Sequence, residues 1–112
     1  MTSPTQRSLK ELRDRGYTAQ VVEHYNSFIH QRKDLFGILD ILCIKKGKTL
    51  GVQVSTLSHK GDHMKKIKEC EHLQTILDAG WNVELHSWRK LITSRYKNGN
   101  PKKSWVNDIV VL

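Results

Sequence analysis

The chain has little cysteine, which limits the sites it can build. Only two of its 112 residues are cysteines, Cys43 and Cys70. Both fall at apolar positions, one in a predicted strand and one in a predicted helix, which is typical of buried free thiols. We therefore expect no disulfide. A structural zinc site is also disfavoured, because zinc needs four nitrogen or sulfur ligands and no cysteine pair accompanies His59 and His63.

Long apolar runs are absent as well. No stretch reaches the length of a membrane span, and the first residues, MTSPTQRSLKELRDRG, lack the apolar segment of a signal peptide. The sequence therefore predicts a protein that stays in a reducing compartment and has no membrane partner. Repeats, low-complexity tracts and linkers are also missing, so residues 1–112 are expected to form a single domain.

Acidic residues are scarce relative to basic ones. Nineteen Lys and Arg stand against eleven Asp and Glu, a net charge of +8. Such a balance favours a polyanionic partner, and nucleic acid is the first expectation. The basic residues fall into three groups along the chain: Arg32 and Lys33; Lys60, Lys65, Lys66 and Lys68; and Arg89, Lys90, Arg95, Lys97, Lys102 and Lys103. The third group could either grip a duplex or form a solvated arm.

Two segments carry helix signals. In the first, Ser3 suits the N-cap, Pro4 the first helical position and Gly16 the stop. In the second, residues 62–79, apolar residues recur at steps of three and four. Asp62 is its expected N-cap and Gly80 its C-terminal stop.

Five segments are typical of strands. They cover residues 17–25, two apolar runs on either side of KKGK within 35–56, residues 81–92 and residues 105–112, with loops at 26–34 and 93–103. Gly47 suits the tight turn between the apolar runs. The order predicts an α/β fold: a helix, a three-stranded antiparallel meander, a crossover helix and two further strands in a mixed sheet covered on both faces.

Polar side chains interrupt the apolar hairpin. If it closes at KKGK, Asp40 and Gln53 lie close together at its open end. A buried aspartate needs a partner, and carboxylate and amide oxygens suit Mg²⁺ or Mn²⁺. Alternatively, Asp40 pairs with Arg32 or Lys33, and Gln53 satisfies backbone groups at a sheet edge.

The segments GYTAQVVE, RKDLFGILDILCI and LGVQVS resemble the core of the PD-(D/E)XK nucleases. The similarity is greatest to the small Holliday-junction-resolvase-like and phage or bacterial endonuclease-like members. It covers about residues 5 to 92. The resemblance implies a restriction-endonuclease-like core and a Mg²⁺- or Mn²⁺-dependent endonuclease that hydrolyses phosphodiester bonds in duplex, branched or junction DNA.

The resemblance also implies a set of metal ligands. Asp40 would bind the metal, and Gln53 would replace the glutamate of the family motif. Val54 would supply a backbone carbonyl, and Glu23 a second carboxylate. The sequence departs from the family motif at Ser55, where a lysine is expected.

Two explanations of Ser55 remain open. The resemblance permits the catalytic lysine to move to the following loop or helix, where Lys60, Lys65 and Lys66 are the candidates. Otherwise the protein is a catalytically inactive DNA-binding module with the nuclease fold. An RNA-binding or purely structural role is a third reading, although no RNA-specific aromatic motif is present.

The remaining expectations concern DNA and partners. Asp34 is either a second acidic contributor or a loop cap. A symmetric homodimer is expected, because a duplex has two strands to cut. Of Trp81 and Trp88, which differ in phase, one could face a partner subunit.

The expected setting is the cytoplasm of a prokaryotic cell or a phage-infected host. The expected DNA contacts are Arg32, Lys33, Ser55, Ser58, His59, Lys60, Lys65, Lys66, Arg89 and Lys90.

Overall fold

The computed structural model describes residues 2–112, apart from the side chains of Tyr25, Arg32 and Thr93. It has three α-helices and seven strands, with a 3-10 turn at Leu57–His59. The elements are α1 Pro4–Asp14, β1 Thr18–Val21, β2 His24–Asn26, β3 Gln31–Lys33, β4 Ile41–Lys45, β5 Lys48–Thr56, α2 Lys60–Lys68, α3 Leu73–Asp78, β6 Asn82–Arg95 and β7 Pro101–Val111.

Five of the strands form one mixed sheet in the order β1-β4-β5-β6-β7. The β1-β4, β4-β5 and β6-β7 pairs are antiparallel, and the β5-β6 pair is parallel. A parallel pair needs a crossover connection, which α2 and α3 provide here. The predicted mixed α/β class is thereby confirmed.

Apolar layers cover both faces of the sheet, as predicted. On one face α1 packs Leu9 and Leu12 into a cluster that includes Ile41 and Val52. The start of α1 is fixed by its cap, since Ser3 Oγ accepts a hydrogen bond from the Gln6 amide at 3.2 Å. On the other face α2 and α3 contribute to a second cluster, whose buried members are Ile38, Leu39, Ile67, Ile76, Val83 and Leu85.

Two predictions around the first strand are wrong. The strand expected over residues 17–25 ends at Val21, and β2, which begins at His24, pairs in a separate two-stranded sheet with β3, which lies within the expected loop 26–34. The chain reverses after β2, where the Asn26 side chain accepts a hydrogen bond from the Phe28 amide at 3.0 Å. Asparagine favours such local turns, which strand alternation does not reveal.

The apolar run 35–44 is also not one strand. Its first half is a turn, in which Leu35 and Leu39 exchange two backbone hydrogen bonds and Phe36 has a φ of 54°. The turn packs onto the sheet because Leu39 occupies the space above Gly51: a Cβ at residue 51 would lie 2.6 Å from Leu39 Cδ1. A close approach of this kind is invisible to the local pattern.

The single helix expected over residues 62–79 is divided. α2 begins two residues earlier, at Lys60, and ends at Lys68, and α3 begins at Leu73. Ile67 and Ile76 nevertheless enter the same apolar cluster. The apolar period is the same with or without the break, so the pattern could not show it. In residues 2–112 no helix combines the length and the apolar composition required to span a bilayer.

The last two strands are longer than predicted, and the expected loop 93–103 shrinks to residues 96–100. β5 pairs with β6 only as far as Thr56 opposite Trp88, whereas β6 pairs with β7 out to Arg95. Residues 89–106 therefore form a two-stranded projection, called the basic ribbon below. The radius of gyration is 15.7 Å, against about 13 Å for a compact domain of this length.

Candidate active site

The β4-β5 hairpin brings Asp40 and Gln53 together, as the sequence predicts. The two strands turn at Lys46 and Gly47, which has a φ of 74°, and Ile41 pairs with Val52. Asp40, one residue further along, donates its amide to the Val52 carbonyl at 2.8 Å. Its Oδ2 accepts hydrogen bonds from Gln53 Nε2 at 2.6 Å and from the Val54 amide at 2.8 Å.

Two further carboxyl groups reach the same place. Ligand atoms of Glu23, Asp34 and Asp40 all lie within 4.8 Å of one another. Glu23 follows β1, where the Val22 amide donates to the Asp40 carbonyl at 2.8 Å, and Asp34 is delivered by the turn that precedes β4. We call these three residues the acidic cluster. Asp34 was left open by the sequence, because its approach depends on that turn.

The acidic cluster brings together three carboxyl groups, of which Asp40 is buried and Glu23 and Asp34 are half-buried. Burial first, then a hydrogen bond with Asp34 and the charges of Asp34 and Glu23, raise the pKa of Asp40 to about 8; the Val54 amide opposes the rise. Asp40 is 5% exposed. A carboxyl group so placed holds its proton at neutral pH unless positive charge is supplied.

Gln53 completes a donor set that fits a hard divalent cation. The residue is 2% exposed, and its Oε1 has no hydrogen-bond partner among the described residues. Exchange of its amide nitrogen and oxygen would present Oε1 to Asp40, and once Asp40 is ionised a cation between the two oxygens would stabilise that arrangement. Three carboxylates and an amide oxygen are ligands that Mg²⁺ and Mn²⁺ accept.

Val54, the expected carbonyl ligand, lines the same cleft. Its amide donates to Asp40 Oδ2, and its carbonyl accepts a 3.4 Å hydrogen bond from Gln53 Nε2. The carbonyl has a second lone pair, so its role as a metal ligand stays a prediction.

The lysine candidates are separated by their positions. Ser55, at the motif position, is buried and its Oγ lies 2.9 Å from Ser87 Oγ. Lys66 Nζ lies 2.6 Å from Asp34 Oδ2 and borders the acidic cluster. Lys60 and Lys65 do not line the cleft around that cluster. Of the three, the geometry places only Lys66 at the site.

The acidic cluster lies in a cleft of about 1120 Å³. Lys33, His59 and His63 line it beside the carboxyl groups, and the start of α1 forms part of its wall. Burial, followed by the charge of Lys66, lowers the pKa of His63, whose Nδ1 has no partner among the described residues. In the sequence, His63 stood out only as part of a disfavoured zinc site, and its place in this cleft was missed.

The other expected DNA contacts lie away from the cleft. Ser58 Oγ is 3.1 Å from Thr56 Oγ1. In α2, Lys60 and Lys65 do not line the cleft, unlike Lys66. Arg89 Nε pairs with Asp108 Oδ2 at 3.2 Å, and Lys90 lies over the Trp105 ring. The side chain of Arg32 lies outside the described part of the chain.

A second polar cluster lies under α1, and its serine, histidine and glutamate resemble a catalytic triad. His86 contacts Ser8 Oγ through Nδ1 and Glu84 Oε1 through Nε2, both at 2.9 Å. Ser8 and His86 are 0% exposed, and Trp88 Nε1 donates to Ser8 Oγ at 2.7 Å. A serine closed off from solvent cannot attack a substrate, so this cluster is structural. Trp88 is thereby placed in the core rather than at a partner surface.

The chain matches no family model, no curated protein and no solved structure.

Proposed function

We propose that the protein is a Mg²⁺- or Mn²⁺-dependent DNA endonuclease of the PD-(D/E)XK type. The acidic cluster carries the proposal, because three carboxyl groups whose ligand atoms lie within 4.8 Å of one another at the open end of the β4-β5 hairpin suit a hard divalent cation. The meander β1-β4-β5 followed by the parallel strand β6 supports it, since this is the element order that the nuclease resemblance implies.

The residues that would hold the metal are the carboxylates of Glu23, Asp34 and Asp40, with Gln53 through its Oε1. The metal, when bound, neutralises charge on the scissile phosphate and lowers the pKa of a water molecule. Asp40 must lose its proton before it can act as a ligand, because its pKa is about 8. The Val54 amide holds the Asp40 side chain in place for this role.

Lys66 takes the part of the missing motif lysine in this proposal. In the structure its ammonium is paired with Asp34. A cation on the acidic cluster would compete for Asp34 and leave the ammonium available to a phosphate in the cleft. A lysine in that position orients the attacking water and stabilises charge that develops on the phosphate.

One observation favours the second candidate, an inactive DNA-binding module. The Ser55 hydroxyl is buried against Ser87, so the motif position holds a small structural side chain in place of an ammonium. If Lys66 only fixes Asp34, the fold would retain DNA binding through its basic residues and lose turnover.

Assembly as a symmetric homodimer belongs to the proposal as well. Each domain has one acidic cluster, whereas a duplex or junction has two strands to cut. Two related copies would supply two sites in a fixed orientation.

The test is cleavage of labelled four-way-junction, flap and linear DNA with Mg²⁺, Mn²⁺ or EDTA. Wild type is expected to cut only with metal, and Asp40→Asn to cut on the order of 10³-fold more slowly while still binding. Lys66→Gln is expected to lose about 10²-fold. The matched controls are Asp62→Asn for Asp40→Asn and Lys65→Gln for Lys66→Gln. Both controls change exposed residues of α2, the helix that carries Lys66.

The outcomes separate the two candidates. Binding without cleavage under every condition would reject the nuclease and favour the inactive module. Equal losses in Lys66→Gln and Lys65→Gln would remove Lys66 from the mechanism.

A further inference from the structure

Positive charge is concentrated on the basic ribbon. Residues 89–106 hold six of the nineteen basic residues and none of the eleven acidic ones, so six of the eight net charges lie there. Of these six, Arg89 pairs with Asp108 at the base of the ribbon. Lys97 and Lys103 are exposed and form no ion pair with any described residue.

One face of the ribbon carries an aligned row of cations. Lys90 pairs across the strands with Trp105, and Ile92 with Lys103. A bulge between Ile92 and Ser94 then shifts the register, and Arg95 continues on the same face by alternation. Trp105 remains 41% exposed.

The row of cations leads to the cleft. Arg7 of α1 stacks over Trp105, with its guanidinium 4.1 Å from the ring centre, and Gln6 beside it lines the cleft. On the sheet, the ribbon starts after Trp88, whose strand partner Thr56 also lines the cleft. A polyanion bound along the ribbon would therefore continue into the acidic cluster.

We propose that the basic ribbon is a docking arm for B-form duplex DNA, which it holds by the phosphates next to the cleft. The seven residues from Arg89 to Arg95 span about 20 Å, and paired strands lie about 4.8 Å apart. The major groove of B-DNA, about 12 Å wide, admits such a ribbon. The major groove of A-form RNA is too narrow. The identity of the polyanion as DNA rests on the proposed function.

The test measures the binding of a labelled duplex of about 24 base pairs by fluorescence anisotropy, in EDTA and at salt concentrations between about 50 and 200 mM. The ribbon variant is Lys97→Gln with Lys103→Gln. The control, Lys46→Gln with Lys48→Gln, removes the same charge from exposed residues beside the β4-β5 turn. An RNA duplex of the same sequence is the competing ligand.

The ribbon variant is expected to bind DNA about 10-fold more weakly, with a salt slope lower by about 1.8, since two phosphate contacts are lost. The control is expected to change affinity by less than about twofold. Equal losses of DNA affinity in the two variants would show that net charge alone causes the loss, and would overturn the proposal. Equal affinity for the RNA duplex would overturn the assignment to B-form DNA.

Because the assay contains EDTA, it does not depend on catalysis. A protein that never cuts DNA but binds it through the ribbon would refute the nuclease and keep the docking arm. A protein that cuts DNA equally well without Lys97 and Lys103 would keep the nuclease and refute the arm.

Discussion

Two buried acids, Asp40 directly before β4 and Glu84 in β6, differ in what surrounds them. Burial alone would raise the pKa of Glu84, but hydrogen bonds from His86 and Arg15, and their charges, lower it to about 2. Arg15 donates to both carboxylate oxygens, at 3.0 and 3.2 Å. Burial first, and then the two other acids beside it, raise the pKa of Asp40 to about 8.

The difference separates structural from functional polarity. A buried acid with every oxygen paired holds the fold together, and losing a partner is costly. A buried acid among like charges costs stability, and such sites are typical of catalysis or ligand binding. The following predictions test that division, from the largest expected effect to the smallest.

Glu84→Gln is expected to lower the free energy of unfolding by about 2–3 kcal/mol, because it removes the charge that Arg15 and His86 both contact. Urea unfolding at neutral pH measures the effect, with the exposed Glu69→Gln as control. Cleavage below the unfolding transition is expected to persist. A change below about 0.5 kcal/mol would show that the cluster under α1 contributes little.

Acid should remove the same contribution. The pKa of Glu84 is lower in the folded state, at about 2, than the ordinary value of 4.5. The unfolded chain therefore takes up a proton first, and the stability is complete above pH 4.5 and lost as the pH falls towards 2. The stability difference between wild type and Glu84→Gln should shrink over that range; a constant difference from pH 6 to pH 3 would contradict the assignment.

Asp40→Asn is expected to act in the opposite direction and stabilise the metal-free protein by about 1–2 kcal/mol at pH 9. The pKa of Asp40 is higher folded, at about 8, than the ordinary 3.8, so wild type loses stability as the pH rises through this range. An asparagine carries no charge and avoids the loss. Thermal unfolding in EDTA at pH 5 and pH 9, with Asp62→Asn as control, measures the difference. Equal stability at pH 9 would contradict the crowding of charge at Asp40.

Mg²⁺ should give the smallest effect. At ten times its dissociation constant, a ligand that binds only the folded state adds about 1.4 kcal/mol, a shift of a few degrees in Tm. Wild type and Glu84→Gln are expected to show the shift, and Asp40→Asn to lose it. A shift retained in Asp40→Asn would place the cation elsewhere.

Local rules were sufficient for part of the site. The turn at Gly47 and the alternation of the two strands are enough to bring Asp40 next to Gln53. Asp34 could not be placed in this way, because residues 35–39 have the composition of a strand and form a turn only through the packing of Leu39 on Gly51. Helical periodicity likewise gave three lysines but not the orientation of α2 that selects Lys66.

The ends of the sheet were harder for the same reason. Alternation along β6 is interrupted at the bulge between Ile92 and Ser94, so the sequence pattern of the strand stops before the strand itself does. Arg15, which pairs with Glu84, follows α1 and lies 69 residues away in the chain, and Ser8 of α1 contacts His86. No local pattern shows that this helix covers the strand.

Gly51 touches none of the proposed ligands, yet it supports one of them. The Leu39 side chain occupies the position that a Cβ would need at Gly51, and this contact anchors the turn that carries Asp34. Any larger residue there would displace Leu39 and move a carboxylate that it never contacts. In a library of single substitutions scored for activity, this glycine in the apolar core should therefore tolerate change as poorly as a metal ligand.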